Sequence, residues 1–214
     1  MGFGKQIGRL FGSDPLAVPA RSLYEDIVAQ SRQPTFYAVC GVPDSLDGRF
    51  ELVALHAFLV LRRLNRPGGP VDEGPVDEGP ADGGSAADLA QALVDTLIQD
   101  MDRSLREMGV GDLGISRRVK EMARGFYGRI AAYEAGLDGA KDMLQAALTR
   151  NLYGTVAVAP VSAVSAMASY MRHQAAGLEG QDLAALLAGR VVFGPPPELG
   201  SEPVHREQGG AGGG

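Results

Sequence analysis

The 214 residues, 45% of them apolar and 6% aromatic, suffice for one folded domain with a sizeable core. A formal charge of −6, from 20 basic and 26 acidic residues, argues against a protein that holds nucleic acid through a general positive field, and leaves a local basic patch open. One cysteine, Cys40, excludes an intrachain disulfide and fits a reducing compartment; its expected role is a small buried apolar group, because no neighbouring base would activate the thiol.

The opening stretch MGFGKQIGRLFG puts Phe3, Ile7, Leu10 and Phe11 on one helical face, with Lys5 and Arg9 elsewhere. Two readings of residues 1–20 stay open: a flexible, frayed terminus, or a short basic amphipathic anchor at a membrane surface. Interior glycines such as Gly4 and Gly8 weaken the helix by about 1 kcal/mol each relative to alanine. Gln6 stands where N-myristoylation needs Ser or Thr. No apolar run is long enough for a secretory signal or a bilayer span, and the longest, Phe50 to Leu61, is interrupted by Glu51 and His56.

Residues 21–193 read as one helical domain. Ser22 to Ser31 forms a first helix with Leu23 and Ile27 inward, ended by Pro34. Thr35 to Val39 is a short turn or helix, followed by a polar turn through Gly41, Pro43, Asp44, Asp47 and Gly48. From Arg49 to Leu64 the chain is apolar on every helical face, the mark of a buried central helix. Residues 66–84 contain the acidic repeat GPVDEGPVDEGPADGG, which has nothing to bury and reads as a disordered insertion. Ser85 with Asp88 resembles a capping box, opening a helix whose stripe runs Leu89, Leu93, Leu97, Met101, Leu105, Met108, with Gly109 as its stop. Ser116 is the expected cap of the next helix, with Val119, Met122, Phe126, Ile130, Tyr133 and Leu137 inward. Further helices are expected over Asp138 to Leu152, Ala163 to Ala175 and Leu183 to Val192, and residues 194–214 as a disordered tail. Strand alternation is essentially absent, so the fold class is all-α, a single helical bundle domain.

Several motifs imitate chemistry. Gly109-Val-Gly111-Asp-Leu-Gly114 has the letters of a dinucleotide fingerprint, but a long amphipathic helix precedes it where a strand is needed. His56, His173 and His205 lack metal-ligand spacing, and His56 reads as a buried imidazole bonded to a carboxylate or carbonyl. Methionines 101, 108, 122, 143, 167 and 171 fall mostly on apolar faces, as core or as an adaptable groove for an apolar client. Asp102–Arg106 and Arg103–Glu107 form i, i+4 pairs at the end of the long helix. Arg117, Arg118 and Lys120 crowd the expected first turn of the next, where the macrodipole disfavours cations. With Arg124 and Arg129 they form either a compensated helical face or a basic patch kept for a partner.

The Val42-Pro43-Asp44 step, Asp47-Gly48-Arg49-Phe50-Glu51-Leu52, Leu55-His56, Asp100-Met101-Asp102, Leu105-Arg106-Glu107-Met108-Gly109-Val110-Gly111-Asp112 and Phe126-Tyr127-Gly128-Arg129 occur in this order between about Ser31 and Leu152. Together they resemble the ubiquinol-cytochrome c chaperone family, the assembly factors of respiratory complex III. The resemblance implies an all-helical, non-enzymatic factor with no catalytic, cofactor or metal residues. It implies cytochrome b or another complex III subunit as client, a small partner protein, the ribosome, and peripheral contact with the inner membrane; nucleic acid is not expected. The start lacks the length and Arg/Ser content of a mitochondrial transit peptide, so the expected setting is bacterial cytoplasm, or the matrix side in a eukaryote. On this reading Arg117, Arg118, Lys120 and Arg124 touch client, ribosome or lipid, while Asp44, Asp47 and Arg49 brace the turn into the buried helix. The competing reading is a helical module that binds haem or quinone in its core through His56.

Overall fold

A computed structural model describes residues 15–66, 85–107, 109 and 112–197. The amphipathic start, the acidic repeat, Met108, Val110, Gly111 and the tail from residue 198 lie outside it. Among the described residues every element is a helix: α1 Ala17–Ser31, α2 Pro34–Ala38, α3 Leu46–Asn65, α4 Ala86–Glu107, α5 Asp112–Asp138, α6 Lys141–Asn151, α7 Val161–Glu179 and α8 Leu183–Leu187.

α3 is the hub. α1, α4, α5 and α7 all pack on it, α6 closes against α5 and α7, and α8 rests on α1. Its apolar residues from Leu52 to Leu64 are buried except for half-buried Val53, so the expectation of a central helix holds. The reason is geometric: a helix with no polar face must be enclosed by neighbours. α4 is the contrasting case, with Leu89, Leu93, Leu97, Met101 and Leu105 inward and its charges outward.

Several boundaries differ from the sequence reading. α1 begins five residues earlier than Ser22, at Ala17, because Pro19 falls in its first turn, where a missing N–H costs no helical bond. Asp47 and Gly48 are not turn residues but the first turn of α3, capped by Ser45, whose hydroxyl accepts from Gly48 N at 3.2 Å. α5 starts at Asp112, so Ser116 is inside the helix rather than its cap. Arg117 is therefore the sixth residue of α5, and the macrodipole penalty inferred for the cations there largely disappears, since the effect fades after the first turn. The last expected helix stops at Leu187, because Gly189 takes φ +79° and turns the chain into an extended strap. Gly109 ends α4 as anticipated, at φ +76°.

The strap is held by side-chain amides acting on its backbone. Gln181 brackets Val192, donating to its carbonyl at 2.7 Å and accepting from its N–H at 3.0 Å. Gly194 donates to Gln174 at 2.8 Å and accepts from Gln30 at 2.9 Å. The Ser85–Asp88 capping box is present and reciprocal, with Ser85 N–H to the carboxylate at 3.0 Å and Asp88 N–H to the hydroxyl at 3.2 Å.

Gly48 is buried where the chain doubles back, and a methyl group on it would overlap the Pro43 carbonyl oxygen. Gly48→Ala is expected to destabilise the fold by about 2 kcal/mol, as overpacking at rigid backbone does. Urea denaturation followed by circular dichroism checks it, and an unchanged midpoint would contradict this packing.

Candidate partner-binding groove

Three polar side chains interrupt the buried helix α3, and each is spent on a different neighbour. Glu51 receives Arg129 from α5, with Nε donating at 2.6 Å and Nη2 to the second oxygen. The same guanidinium lies 5.3 Å from the centre of the Phe50 ring. Burial pushes the Glu51 carboxyl above its ordinary range, and the Arg129 contact pulls it only partly back. Arg129 is thus paired with Glu51, which fits the compensated-face reading for this residue rather than the basic-patch one.

His56 is fully buried. Its Nδ1 lies 2.7 Å from the Leu52 carbonyl, which only accepts, so Nδ1 carries the proton. Nε2 then accepts from Tyr170 OH at 2.8 Å, and Gln30 donates to that phenol oxygen at 2.9 Å. Ser31 Oγ stands 3.1 Å from Nδ1 with its own proton on the Ile27 carbonyl. Burial holds the imidazole down to about 4, so it is neutral near pH 7. Both ring nitrogens are engaged, which leaves neither to ligate a haem or metal. The bland reading of His56, bonded to a backbone carbonyl, is the one observed.

Arg63, not singled out from sequence, is 2% exposed and donates to the carbonyls of Leu178 at 3.1 Å and Gln181 at 3.0 Å. A cation on the last carbonyls of α7 is the favourable end of the helix dipole. Arg62 and Arg66, at the end of α3, pair with Glu134 and Asp138 on α5, and Asp138 is held down to about 2 by the two guanidinium groups. Cys40 is buried, its thiol pushed up to about 11, which makes it inert as a nucleophile.

Two hollows open between these helices among the described residues. One, of about 320 Å³, lies between the end of α3, the start of α4 and α5, lined by Phe58, Leu61, Ala90, Val94 and Ile130 beside half-exposed Tyr127. The other, of about 360 Å³, lies at the opposite end of the same helices and is walled by α1. Val28, Phe50, Val53, Leu97, Met101 and Met122 form its apolar lining, and Leu46 stands at its mouth, 48% exposed. Both volumes fall in the range that takes a small ligand or a few anchoring side chains.

The charged motif residues sit around the second hollow. Arg49 donates to Asp44 at 2.7 Å, bracing the turn before α3 as the sequence suggested. Asp100 accepts from Tyr24 OH at 2.6 Å and pairs with Arg103, so the expected Arg103–Glu107 pair is replaced by Arg103–Asp100. Asp102–Arg106 forms as expected, at 2.7 Å. On α5, Arg117 pairs with Glu121 at 2.9 Å, whereas exposed Arg118, Lys120 and Arg124 make no ion pair among the described residues. Tyr127 and Gly128 lie on the exposed side of α5, Asp112 is its first residue, and Gly111 is outside the described residues. Neither hollow has a local sequence signature, because each arises where helices distant in the chain fail to meet.

Two outcomes follow from the buried polar groups. The imidazole, near 6.5 when unfolded and about 4 when folded, contributes its full stability above pH 6.5 and loses it as pH falls toward 4, up to about 3 kcal/mol. Denaturation at pH 7 and pH 4.5 should therefore show a steeper loss in the native chain than in His56→Gln; parallel losses would refute the assignment. Arg129→Met should cost about 3 kcal/mol by stranding a buried carboxylate, and Glu51→Leu added to it should recover most of that in a double-mutant cycle.

Residues 38–193 match the ubiquinol-cytochrome C chaperone family, reaching beyond the motif-bearing stretch into the C-terminal third. The chain is similar to ubiquinol-cytochrome-c reductase complex assembly factor 1 of Xenopus laevis, 24% identical over 192 residues that cover 88% of this chain and 87% of that one. The assembly factor of the same name from Mus musculus is 23% identical over 88% of this chain, which spans 59% of the mouse protein. In crystal, the Cbp3 homolog from Brucella abortus resembles it with a TM-score of 0.69 and 36% identity, over 88% of this chain and 97% of that one. An all-helical chain with these motifs in this order belongs to the ubiquinol-cytochrome C chaperone family.

Proposed function

We propose that the chain supports assembly of ubiquinol-cytochrome c reductase by holding newly made cytochrome b through the groove walled by α1, α3, α4 and α5. The observation that carries this reading is an open apolar hollow of about 360 Å³ with the exposed cations Arg32 and Arg118 at its rim. A rigid bundle that leaves such a groove open suits a helical segment laying its apolar face into it. Leu46 and Met122 give the walls adaptable apolar contacts, and methionine tolerates irregular partners. Arg118, Lys120 and Arg124 would meet the client, a small partner protein, the ribosome or lipid headgroups. Among the described residues no helix is long and apolar enough to cross a membrane.

The rival reading, haem or quinone held in the core by His56, is disfavoured because both nitrogens of the imidazole are bonded within the protein and the ring has no exposed surface. A purified protein with a visible absorption band would reopen it.

In a strain lacking the gene, the reduced-minus-oxidised spectrum of membranes should lose the b-type haem signal of complex III while its transcripts persist. Complementation with the native chain should restore it, and Leu46→Glu, an exposed change at the groove mouth, should restore it poorly. Normal complex III activity in the deletion strain would sink the proposal.

A further inference from the structure

The groove is too small to enclose a helix. At about 360 Å³ it takes the side chains of one helical face, at positions i, i+3 or i+4 and i+7. Discrimination among apolar segments then falls to the rim. Of the charged groups lining the groove, Arg49 is spent on Asp44 and Asp100 on Arg103, which leaves Arg32 and Glu107 uncommitted. Arg118 stands one helical turn before the lining residue Met122, on the same side of α5, whereas Lys120 and Arg124, two residues either side of Met122, are on the far side of the helix. The rim thus offers two cations without an ion pair among the described residues, Arg32 and Arg118, against one such carboxylate of the lining, Glu107.

We infer that the groove selects apolar helical segments of its client whose flanking residues are acidic and rejects those with basic flanks. This rests on the client reading above and adds to it a rule of choice. In membrane proteins Lys and Arg gather in the loops that stay on the side of synthesis. A basic rim repels those loops and favours the flanks that have still to cross. The chain's own start is a poor occupant, because Lys5 and Arg9 give it the same sign as the rim.

The test uses the full chain and two fluorescent peptides of about 12 residues with leucines at i, i+3, i+4 and i+7, one flanked by Asp-Glu and one by Lys-Lys. Anisotropy at low salt should show the acidic peptide binding about tenfold tighter, with the gap closing as salt rises. Arg32→Glu with Arg118→Glu, both at exposed positions, should abolish or reverse the preference, and Leu46→Glu should weaken both peptides alike. Equal binding of both peptides, sensitive to Leu46→Glu but not to the charge reversal, would overturn the selection rule and leave the groove standing. If neither peptide binds, or Leu46→Glu has no effect, the client groove itself is refuted. Should vesicles rich in phosphatidylglycerol bind in a manner that depends on Arg118 while the peptides show no preference, the cations serve a lipid surface and the rule fails.

Discussion

Everything in this bundle depends on satisfying the polar side chains that interrupt α3. A helix enclosed on all sides must bury them, and an unpaired buried polar group costs more than most packing gains return. Glu51 faces α5, His56 faces α1 and α7, and Arg63 faces the end of α7. Each has one satisfactory partner set, so each fixes the position of a neighbouring helix along α3. Apolar contacts alone would tolerate sliding by a turn. These contacts do not, because a slip of α5 separates Arg129 from Glu51, and a slip of α7 takes Tyr170 from His56 and Leu178 from Arg63.

The same constraint makes the groove. α5 is pinned to α3 by Arg129–Glu51 and, further along, by Glu134 and Asp138 on Arg62 and Arg66. Those attachments set its distance from α4 by charge geometry rather than by close packing, and hollows remain on both sides of the pinned segment. Interiors normally fill such gaps, since each lost contact weakens the fold. Among the described residues Leu46 and an apolar lining stay open, at a cost in stability that a well-filled interior would not bear.

Much of this was legible in the sequence, and the failures share a cause. The unbroken apolar face of α3, the stripe of α4, the Ser85–Asp88 box and the Gly109 stop are all local, set by residues within a turn of one another. The capping hydroxyl of α3 is local as well, but Ser45 does not stand out beside the proline, aspartate and glycine around it. α5 began a turn earlier than Ser116 implied, because a serine makes a cap only where the chain outside the helix leaves it one. The Gly189 turn cut short a helix that propensity alone would have continued. What pattern reading could not supply were the pairings across the chain: Arg129 with Glu51 spans 78 positions, and His56 with Tyr170 spans 114. Of the five cations that spacing offers as a compensated face or a basic patch, Arg129 is drawn to Glu51 by the fold and Arg117 to Glu121 by i, i+4 spacing, which leaves Arg118, Lys120 and Arg124 exposed.

That reduction bears on function. The buried ionisable groups of α3, and the phenols of Tyr24 and Tyr170, are consumed in holding helices together, with their charges paired or their protons shared. Groups so committed are poor candidates for binding anything that arrives later, because each would have to abandon a buried partner first. Among the described residues, what the fold leaves uncommitted is at the surface: apolar walls without a covering helix, and the cations Arg32 and Arg118 without a carboxylate. Those two kinds of surface lie beside each other, and one apolar segment with charged ends could engage both at once. A protein whose polar interior is spent on architecture keeps its free chemistry at the surface.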